Sequence, residues 1–492
     1  MSRLVHEFVS VCFGNYGGIV LSLAINVWLT RHLGTEGYGH LALFLLASQI
    51  LSFFVANWTV SAVVRFGAQE YAEARRAART VWARTAIVAP WLALAGVLTV
   101  LFRERAADYL RVPLWGVGLV FTHFVLASLL VTLGGLLQSC GRMKQYGVSL
   151  FMDKLLTLTA ILLLPASLAH DPLAALGCYV AGSGLVSAWA LAVLGPGVFR
   201  PVRLDAAVLG DMWQFSLPMI ATTWVSVLGT YWINYLVITK FLSLSHLGLY
   251  SLANQVASVV QQVTIISSSV LLPHFSVLLA NGDLAGIQRF VSRVAPSGFL
   301  ALSVLLGLFI LHAGPVMPRL FGSEFAGSVL PLAILMLATS LMAFSNTFTP
   351  FLTAQGATWT LMWITLPTAV VNIVMVLLLV PLLGINGAAL ATVLAYATTA
   401  FLVMRVTGQR LGLPVLRNSL LGLPVLGVVL CAVFLQGLPL YLTGLLVLGG
   451  SAYLLARLFS LWEPEETKLL LRMILNLGRA AESAPATTEL RA

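Results

Sequence analysis

Thr30-Arg31-His32-Leu33 closes a long apolar stretch and is followed, after five residues, by Gly39; the phrase returns as Thr239-Lys240-Phe241-Leu242, again with five residues before Gly248. Two more pairs line up at nearly the same displacement. Leu137-Gln138-Ser139-Cys140-Gly141 lies opposite Leu352-Thr353-Ala354-Gln355-Gly356, and Ala174-Ala175-Leu176 lies opposite Ala388-Ala389-Leu390, at offsets of 209, 215 and 214 positions. Three weak matches at one spacing mark an internal duplication, and in an apolar chain duplication is the signature of a two-lobed transport fold.

The chain is apolar enough for that inference. Of 492 residues 59% are hydrophobic and 9% charged, with a mean hydropathy of +0.97, whereas soluble domains carry roughly a quarter charged residues. Crossing ~30 Å of hydrocarbon takes about 20 apolar residues, and about fourteen such runs can be marked. In the first half they fall at 9–29, 38–60, 83–102, 113–137, 148–168 and 173–194. The second half holds 214–238, 248–272, 294–313, 329–350, 361–380 and 387–404, and then 419–436 and 439–459 follow. The first run has no small-residue cleavage pattern after it and reads as a retained helix.

Each copy of the repeat therefore has six spans, and an even number returns the chain to its starting side. The expected fold is all-α and polytopic: two parallel six-helix lobes related by a pseudo-two-fold axis along the membrane normal, with a path between them, plus two C-terminal helices. The boundaries follow as 1–210 and 211–410 for the lobes, 411–460 for the extra pair and 461–492 for a cytoplasmic tail, with a short surface helix near Thr467 to Leu477. Of the 27 Lys and Arg, 21 fall on one set of alternating segments and 6 on the other. The positive-inside bias then puts both termini in the cytoplasm.

That bias also accounts for the net charge of +10, as in Arg65, Arg75, Arg76, Arg79 and Arg84 between the second and third spans, so no nucleic-acid partner is implied. Cys12, Cys140, Cys178 and Cys431 form no CxxC pair, which points to neither zinc nor a disulfide framework. No glycine precedes Lys144, Lys154, Lys240 or Lys468, so a Walker A loop is absent. His6-Glu7 begins a zinc-protease motif that Ser10 breaks. Asn57-Trp58-Thr59 matches a glycosylation sequon but falls inside the second span, where no glycan can sit. The external segments are short, and the most polar of them, Arg103 through Arg111, has no histidine. A membrane polysaccharide polymerase or ligase is thus the lesser alternative; the chain reads as no enzyme, with no catalytic residue, cofactor or metal expected.

Ionisable and polar groups in the spans are the remaining candidates, because a charge at a helix centre costs about 2.5–3.5 kcal/mol on insertion scales. Lys154 lies six residues into the fifth span beside Asp153, and either faces a cavity, snorkels to the surface or pairs locally with Asp153. Arg31 and Lys240, the repeated cations, stand at outer span ends, where interfacial anchoring competes with attraction of an anion. Arg65 at the inner end of the second span has the same two readings. His123, inside the fourth span, either couples protons or bonds a neighbouring helix. Asn254, Gln255, Gln261 and Gln262 make a polar stretch in the eighth span that either lines water and sugar hydroxyls or joins helices.

Leu29-Thr30-Arg31-His32-Leu33-Gly34-Thr35-Glu36-Gly37-Tyr38-Gly39 resembles the first-loop pattern of the polysaccharide (Wzx-like) flippases of the multidrug/oligosaccharidyl-lipid/polysaccharide exporter superfamily. Phe215-Ser216-Leu217-Pro218 resembles that family's start of the seventh helix, and Gly248-Leu249-Tyr250-Ser251 its start of the eighth. Pro381-Leu382-Leu383-Gly384-Ile385-Asn386-Gly387-Ala388-Ala389-Leu390-Ala391 is similar to its link into the twelfth. The resemblance implies movement of polyprenyl-diphosphate-linked oligosaccharide across a bacterial inner membrane by alternating access, for surface polysaccharide, exopolysaccharide or O-antigen assembly. It implies as partners the lipid-linked oligosaccharide, membrane lipids, and the polymerase and glycosyltransferases of the pathway. Cationic cavity groups would lower the transfer cost of the diphosphate. Where many relatives carry an acidic-basic pair near the end of the seventh helix, this chain has Asn234 and Tyr235. The Arg-Asp signature of the lipid II branch is missing after the first helix opens. A drug or organic-cation exporter of the same superfamily is the other alternative, and it would be expected to carry embedded acids in the N-terminal lobe; only Asp153 is found there.

Overall fold

An apolar chain in hydrocarbon has to bond its own peptide groups, and the helix does so within one segment. The computed structural model describes residues 2–201, 204–226, 229 and 232–461, and among them there are helices and no strands. The tail helix expected near Thr467 to Leu477 lies outside the described residues. The chain divides into two compact units, Ser2–Val227 and the chain from Leu228 onward.

In the first unit α1 (Ser2–Val55) is followed by a 3-10 turn at Asn57–Thr59 and then α2 (Val60–Ala74), α3 (Ala78–Leu101), α4 (Arg103–Leu110) and α5 (Leu114–Ser139). Helices α6 (Met143–Leu162), α7 (Pro172–Leu194), α8 (Pro196–Phe199) and α9 (Ala206–Ser226) complete it. The first repeated phrase sits where α1 breaks. Gly34 adopts φ 64°, ψ −175°, a backbone that side chains rarely take. The break is framed by side chains: Thr30 Oγ1 donates to the Asn26 carbonyl at 2.8 Å, and Tyr38 Oη donates to Asn26 Oδ1 at 2.8 Å. Helix α7 begins with Asp171 accepting from the Leu173 N–H and with Pro172 in its first turn, a cap the sequence spells out. At the start of α3, buried Glu70 accepts from the Arg79 and Thr80 N–H groups at 2.9 and 2.8 Å. Arg79 lies within 3.7 Å of both Glu70 and Asp205, so this basic residue of the inner segment also holds structure.

The second unit runs through α10 (Ile233–Phe241), α11 (Leu244–Ala280), α12 (Leu284–Arg289), α13 (Ala295–Phe321), α14 (Val329–Ala354), α15 (Thr358–Leu383) and α16 (Ile385–Leu411). It ends with α17 (Leu423–Phe434) and α18 (Gly437–Leu458). The second repeated phrase again ends a helix. Leu242 is extended after α10, and Ser243 caps α11 by accepting from the His246 N–H. A phenylalanine-rich core of Phe275, Phe299, Phe344, Phe348 and Phe351 binds α11, α13 and α14. Helix α18 seats on α13 at two glycines, a methyl at Gly307 meeting Leu448 and one at Gly444 meeting Leu311.

Among the described residues ten helical stretches are long and apolar enough to cross a membrane. With α1 crossing on both sides of Gly34, and with α6 (20 residues), α9 (21 residues) and α11 (37 residues) having the length to cross, the helices accommodate the spans read from the sequence. The protein is an all-α, multi-pass membrane protein.

Glycines decide which helices touch. A methyl at Gly14 would run into the Gly147 carbonyl, one at Gly17 would reach the Phe151 ring at 2.8 Å, and one at Gly147 would strike Ser10 and Val11. Small residues at these points let α1 and α6 approach backbone to backbone, as expected in a bilayer where packing replaces the hydrophobic effect. Gly147→Ala should therefore lower thermal stability of the detergent-purified protein by about 1–3 kcal/mol through overpacking. Gly177→Ala in α7, where a methyl meets nothing within 4 Å, should be neutral or stabilise by up to ~1 kcal/mol. Equal melting shifts in the two variants would refute the close-contact account.

Candidate functional site

The first unit gathers its polar groups on α1, α5, α6 and α7. Lys154 Nζ donates to Asp153 Oδ2 at 2.8 Å. Ser183 Oγ on α7 donates to the other carboxylate oxygen at 3.1 Å. Gly182 makes room for this contact, because a methyl there would meet Thr157 and the Asp153 carbonyl. The carboxylate thus has a partner on each oxygen and its side chain is only 14% exposed, while the Lys154 side chain is 35% exposed. An ammonium has three donors. One is given to Asp153, so the partly open Lys154 retains capacity for a second anion.

His123 on α5 lies within electrostatic reach of both charges. Its Nδ1 shares a 2.6 Å hydrogen bond with Ser48 Oγ on α1, and its ring meets Tyr179 of α7 edge-on at 6.2 Å. Ser52 Oγ donates to the Ser48 carbonyl and accepts from Ser128 Oγ on α5. The histidine is bonded to a neighbouring helix, as one of its two readings required. The chain of hydroxyls continues along the α1–α5 seam.

The other expected residues are not drawn into this cluster. Arg31 is exposed beside the Gly34 break, and Arg65 is exposed on α2 with its guanidinium 4.8 Å from the centre of the Phe215 ring and 5.5 Å from that of Phe66. A full crossing of α1 separates these two arginines. In the second unit Lys240 is exposed at the end of α10, with its ammonium 5.6 Å from the Phe241 ring centre. Gln255 and Gln262 are half-buried on α11. Their neighbour Asn254 joins helices, donating to Tyr235 Oη at 3.0 Å.

Asn234 and Tyr235 sit in a neutral network. Asn234 Nδ2 donates to Tyr250 Oη at 2.9 Å and to Thr392 Oγ1 at 2.8 Å, and Asn234 Oδ1 accepts from Asn372 Nδ2 at 3.2 Å. The same Asn372 amide also donates to the Gly229 carbonyl at 2.8 Å. Amides and hydroxyls satisfy one another across α10, α11, α15 and α16 with no ionised group in the set. Beside it, an open apolar cleft of about 620 Å³ runs between α15 and α16, lined by Pro367, Val371, Met375, Leu394 and Phe401.

One arginine escaped the sequence reading. Arg84 was counted among the topology-setting cations, yet it lies inward on α3 and donates through Nε to Thr59 Oγ1 at 3.0 Å. Thr59 belongs to the tripeptide Asn57–Thr59, whose sequon was set aside because of its depth in the span; in the fold that tripeptide is the 3-10 interruption between α1 and α2. No hydropathy signal marks such a turn, since all flanking residues remain apolar.

Known proteins place this geometry in context. The chain is similar to a probable low-salt glycan biosynthesis flippase, Agl15, of Haloferax volcanii, with 26% identity over 238 residues, 45% of this chain and 46% of that one. It is also similar to the succinoglycan biosynthesis transport protein ExoT of Rhizobium meliloti, with 33% identity over 135 residues, 27% of each chain. The matches thus span less than half the length of these curated relatives. Among solved structures, the lipid II flippase MurJ in an inward closed conformation superposes with a TM-score of 0.71 at 12% identity, covering 91% of this chain and 99% of that one. An inward-facing multidrug resistance MATE family transporter gives 0.63 at 14% identity, covering 82% and 96%. At these identities the likeness establishes the fold alone, the all-α, two-lobe architecture of the exporter superfamily. The family model described as "Polysaccharide biosynthesis protein" matches residues 4–279, more than half of the chain and the whole of the α1–α5–α6–α7 cluster, and the chain therefore belongs to the polysaccharide biosynthesis protein family.

Proposed function

We propose that this protein moves polyprenyl-diphosphate-linked oligosaccharide from the cytoplasmic to the outer leaflet of a bacterial inner membrane by alternating access, in the assembly of a surface or exported polysaccharide. The observation that carries the reading is Lys154: a cation midway along α6, a helix of membrane-spanning length, held by one carboxylate and left with open donors. Family membership and the two relatives, one named a glycan biosynthesis flippase and the other a succinoglycan transport protein, support the glycan as cargo.

The chemistry required is modest. A diphosphate cannot enter hydrocarbon without compensation, whereas its lipid tail never has to leave the bilayer. A lysine already paired with Asp153 presents a reduced net charge when empty, which limits the cost of keeping it in the membrane. An arriving phosphate oxygen then takes the donors that Asp153 leaves open. No bond in the cargo is made or broken, and the protein works as a carrier rather than a catalyst. The polymerase and glycosyltransferases that make and consume the lipid-linked unit are the partners this role requires. Both termini then lie in the cytoplasm, following the distribution of Lys and Arg.

Deleting the gene should abolish the surface polysaccharide and cause lipid-linked sugar to build up facing the cytoplasm; intact polysaccharide with no build-up would refute the assignment. A second test separates the two duties of Lys154. Lys154→Gln leaves Asp153 charged without its partner, so it should lower the melting temperature, and pairing it with Asp153→Asn should restore most of that loss, as contacting residues couple non-additively. Export should stay impaired at least about tenfold in the double variant, the equivalent of one lost charge-assisted hydrogen bond. Recovery of export together with stability would reduce Lys154 to a structural partner of Asp153.

A further inference from the structure

The interruption between α1 and α2 collects polar atoms that the fold leaves unmet. Arg84 Nη2, Asn57 Oδ1 and Trp224 Nε1 are all buried, and none has a hydrogen-bond partner among the described residues. Arg84 is fixed at the turn by its bond to Thr59 Oγ1, and Asn57 opens the same three-residue turn. Among the described residues Arg84 makes no ion pair, and the buried carboxylate of Glu70 is taken up by the Arg79 and Thr80 N–H groups. An arginine that only sets topology reaches water with its guanidinium. Here one nitrogen of a cationic donor and the acceptor Asn57 Oδ1 are buried at the joint, with the neutral donor Trp224 on the ring that packs on Phe54 one turn before it, and each unmet group costs about 1–3 kcal/mol or more when charged.

What surrounds them is aromatic. The Trp224 ring lies 4.6 Å from Phe54 and 6.4 Å from Trp91, and Trp58 lies 6.2 Å from Trp213, the last two pairs edge-on. Trp58 Nε1 donates to the Phe54 carbonyl at 3.1 Å, tying the two groups of rings to the same turn. Trp91 and Trp224 are half-buried and Trp213 is exposed, so indole surface remains accessible. An indole face is the negative pole of its ring quadrupole. It suits the C–H face of a pyranose, whose hydroxyls project around the rim toward donors and acceptors such as Trp224 Nε1 and Asn57 Oδ1.

We propose that the Asn57–Thr59 joint is a subsite for an anionic sugar, a pyranose bearing a phosphate or a carboxylate. Arg84 Nη2 meets the oxyanion, Asn57 Oδ1 accepts from a sugar hydroxyl, and the tryptophans take the ring. The subsite lies within the first unit and is distinct from the Lys154–Asp153 pair on α6. It rests on the reading of the protein as a glycan carrier, and it deepens that reading by naming the part of the cargo that is recognised.

The test is equilibrium binding of glucose 1-phosphate, methyl glucuronide, methyl glucoside and inorganic phosphate to the purified full chain in phosphatidylcholine nanodiscs. The two charged sugars should bind at least about tenfold more tightly than methyl glucoside and than inorganic phosphate, and Arg84→Gln should erase the preference for charge. The tighter of the two charged probes identifies the oxyanion. Asn57→Ala retains the cation and removes a buried unmet acceptor; it should fold as well as the parent and weaken both charged sugars by about threefold or more. Unchanged charge preference in Arg84→Gln, unchanged affinity in Asn57→Ala, or phosphate binding as tightly as glucose 1-phosphate would each overturn the subsite. So would loss of sugar binding when phosphatidylglycerol replaces phosphatidylcholine, which would assign the joint to an anionic lipid headgroup. Charge-selective sugar binding in a protein whose deletion leaves surface polysaccharide intact would overturn the transport reading and spare the subsite. Lost polysaccharide with no sugar binding would do the reverse.

Discussion

Hydrocarbon offers a peptide N–H or C=O nothing to bond, so every crossing in this protein closes its hydrogen bonds along its own axis, and each departure from the helix has to be supplied with partners. Among the described residues three departures show how this is done. At Gly34 the left-handed φ turns the chain, while Thr30, Asn26 and Tyr38 bond across the break. At Asn57–Thr59 the Thr59 hydroxyl returns to the Ala56 carbonyl at 2.7 Å and receives Arg84 from α3. After α10, the Ser243 hydroxyl accepts from the His246 N–H in the first turn of α11. The polar residues of the membrane region are therefore spent first on mending the backbone, and what remains over is what is available to a ligand.

The same constraint explains how much of the fold could be read in advance. Because each crossing is self-contained, hydropathy alone locates it, and the duplicated Thr-Arg/Lys phrase marks corresponding helix ends. The two copies perform one task with different local chemistry. The first uses a glycine with positive φ and the pair Asn26–Tyr38; the second uses an extended Leu242, a serine cap and the pair Asn234–Tyr250. A buried asparagine bonded to a tyrosine flanks the repeated phrase in both copies.

Rotation about each helix axis was not legible, and rotation decides which side chains meet. Adjacent residues on a helix point about 100° apart, so the sequence offered the Asp153–Lys154 pair only as one of three readings of the lysine, and the length of the lysine stem closes the 2.8 Å bond. What orients α6 is the contact of Gly147 with Ser10 and Val11 on α1, a backbone approach invisible to hydropathy. The same holds for Arg84, whose inward direction is set by Thr59 on another helix. Hydropathy measures how apolar a segment is over its whole circumference, and a single polar atom turned inward barely changes that sum.

The two units also divide their polar resources differently. In the second, the position where many relatives have an acidic-basic pair holds Asn234 within a closed set of amides and hydroxyls, all of which keep their charge state across the physiological pH range. Such a network secures α10 against α15 and α16 through neutral groups. In the first unit the carboxylate, ammonium and imidazole of Asp153, Lys154 and His123 lie within electrostatic reach of one another. These ionisable groups of the first unit thus stand on α5 and α6, whereas the asparagine network of the second unit is built from neutral groups alone.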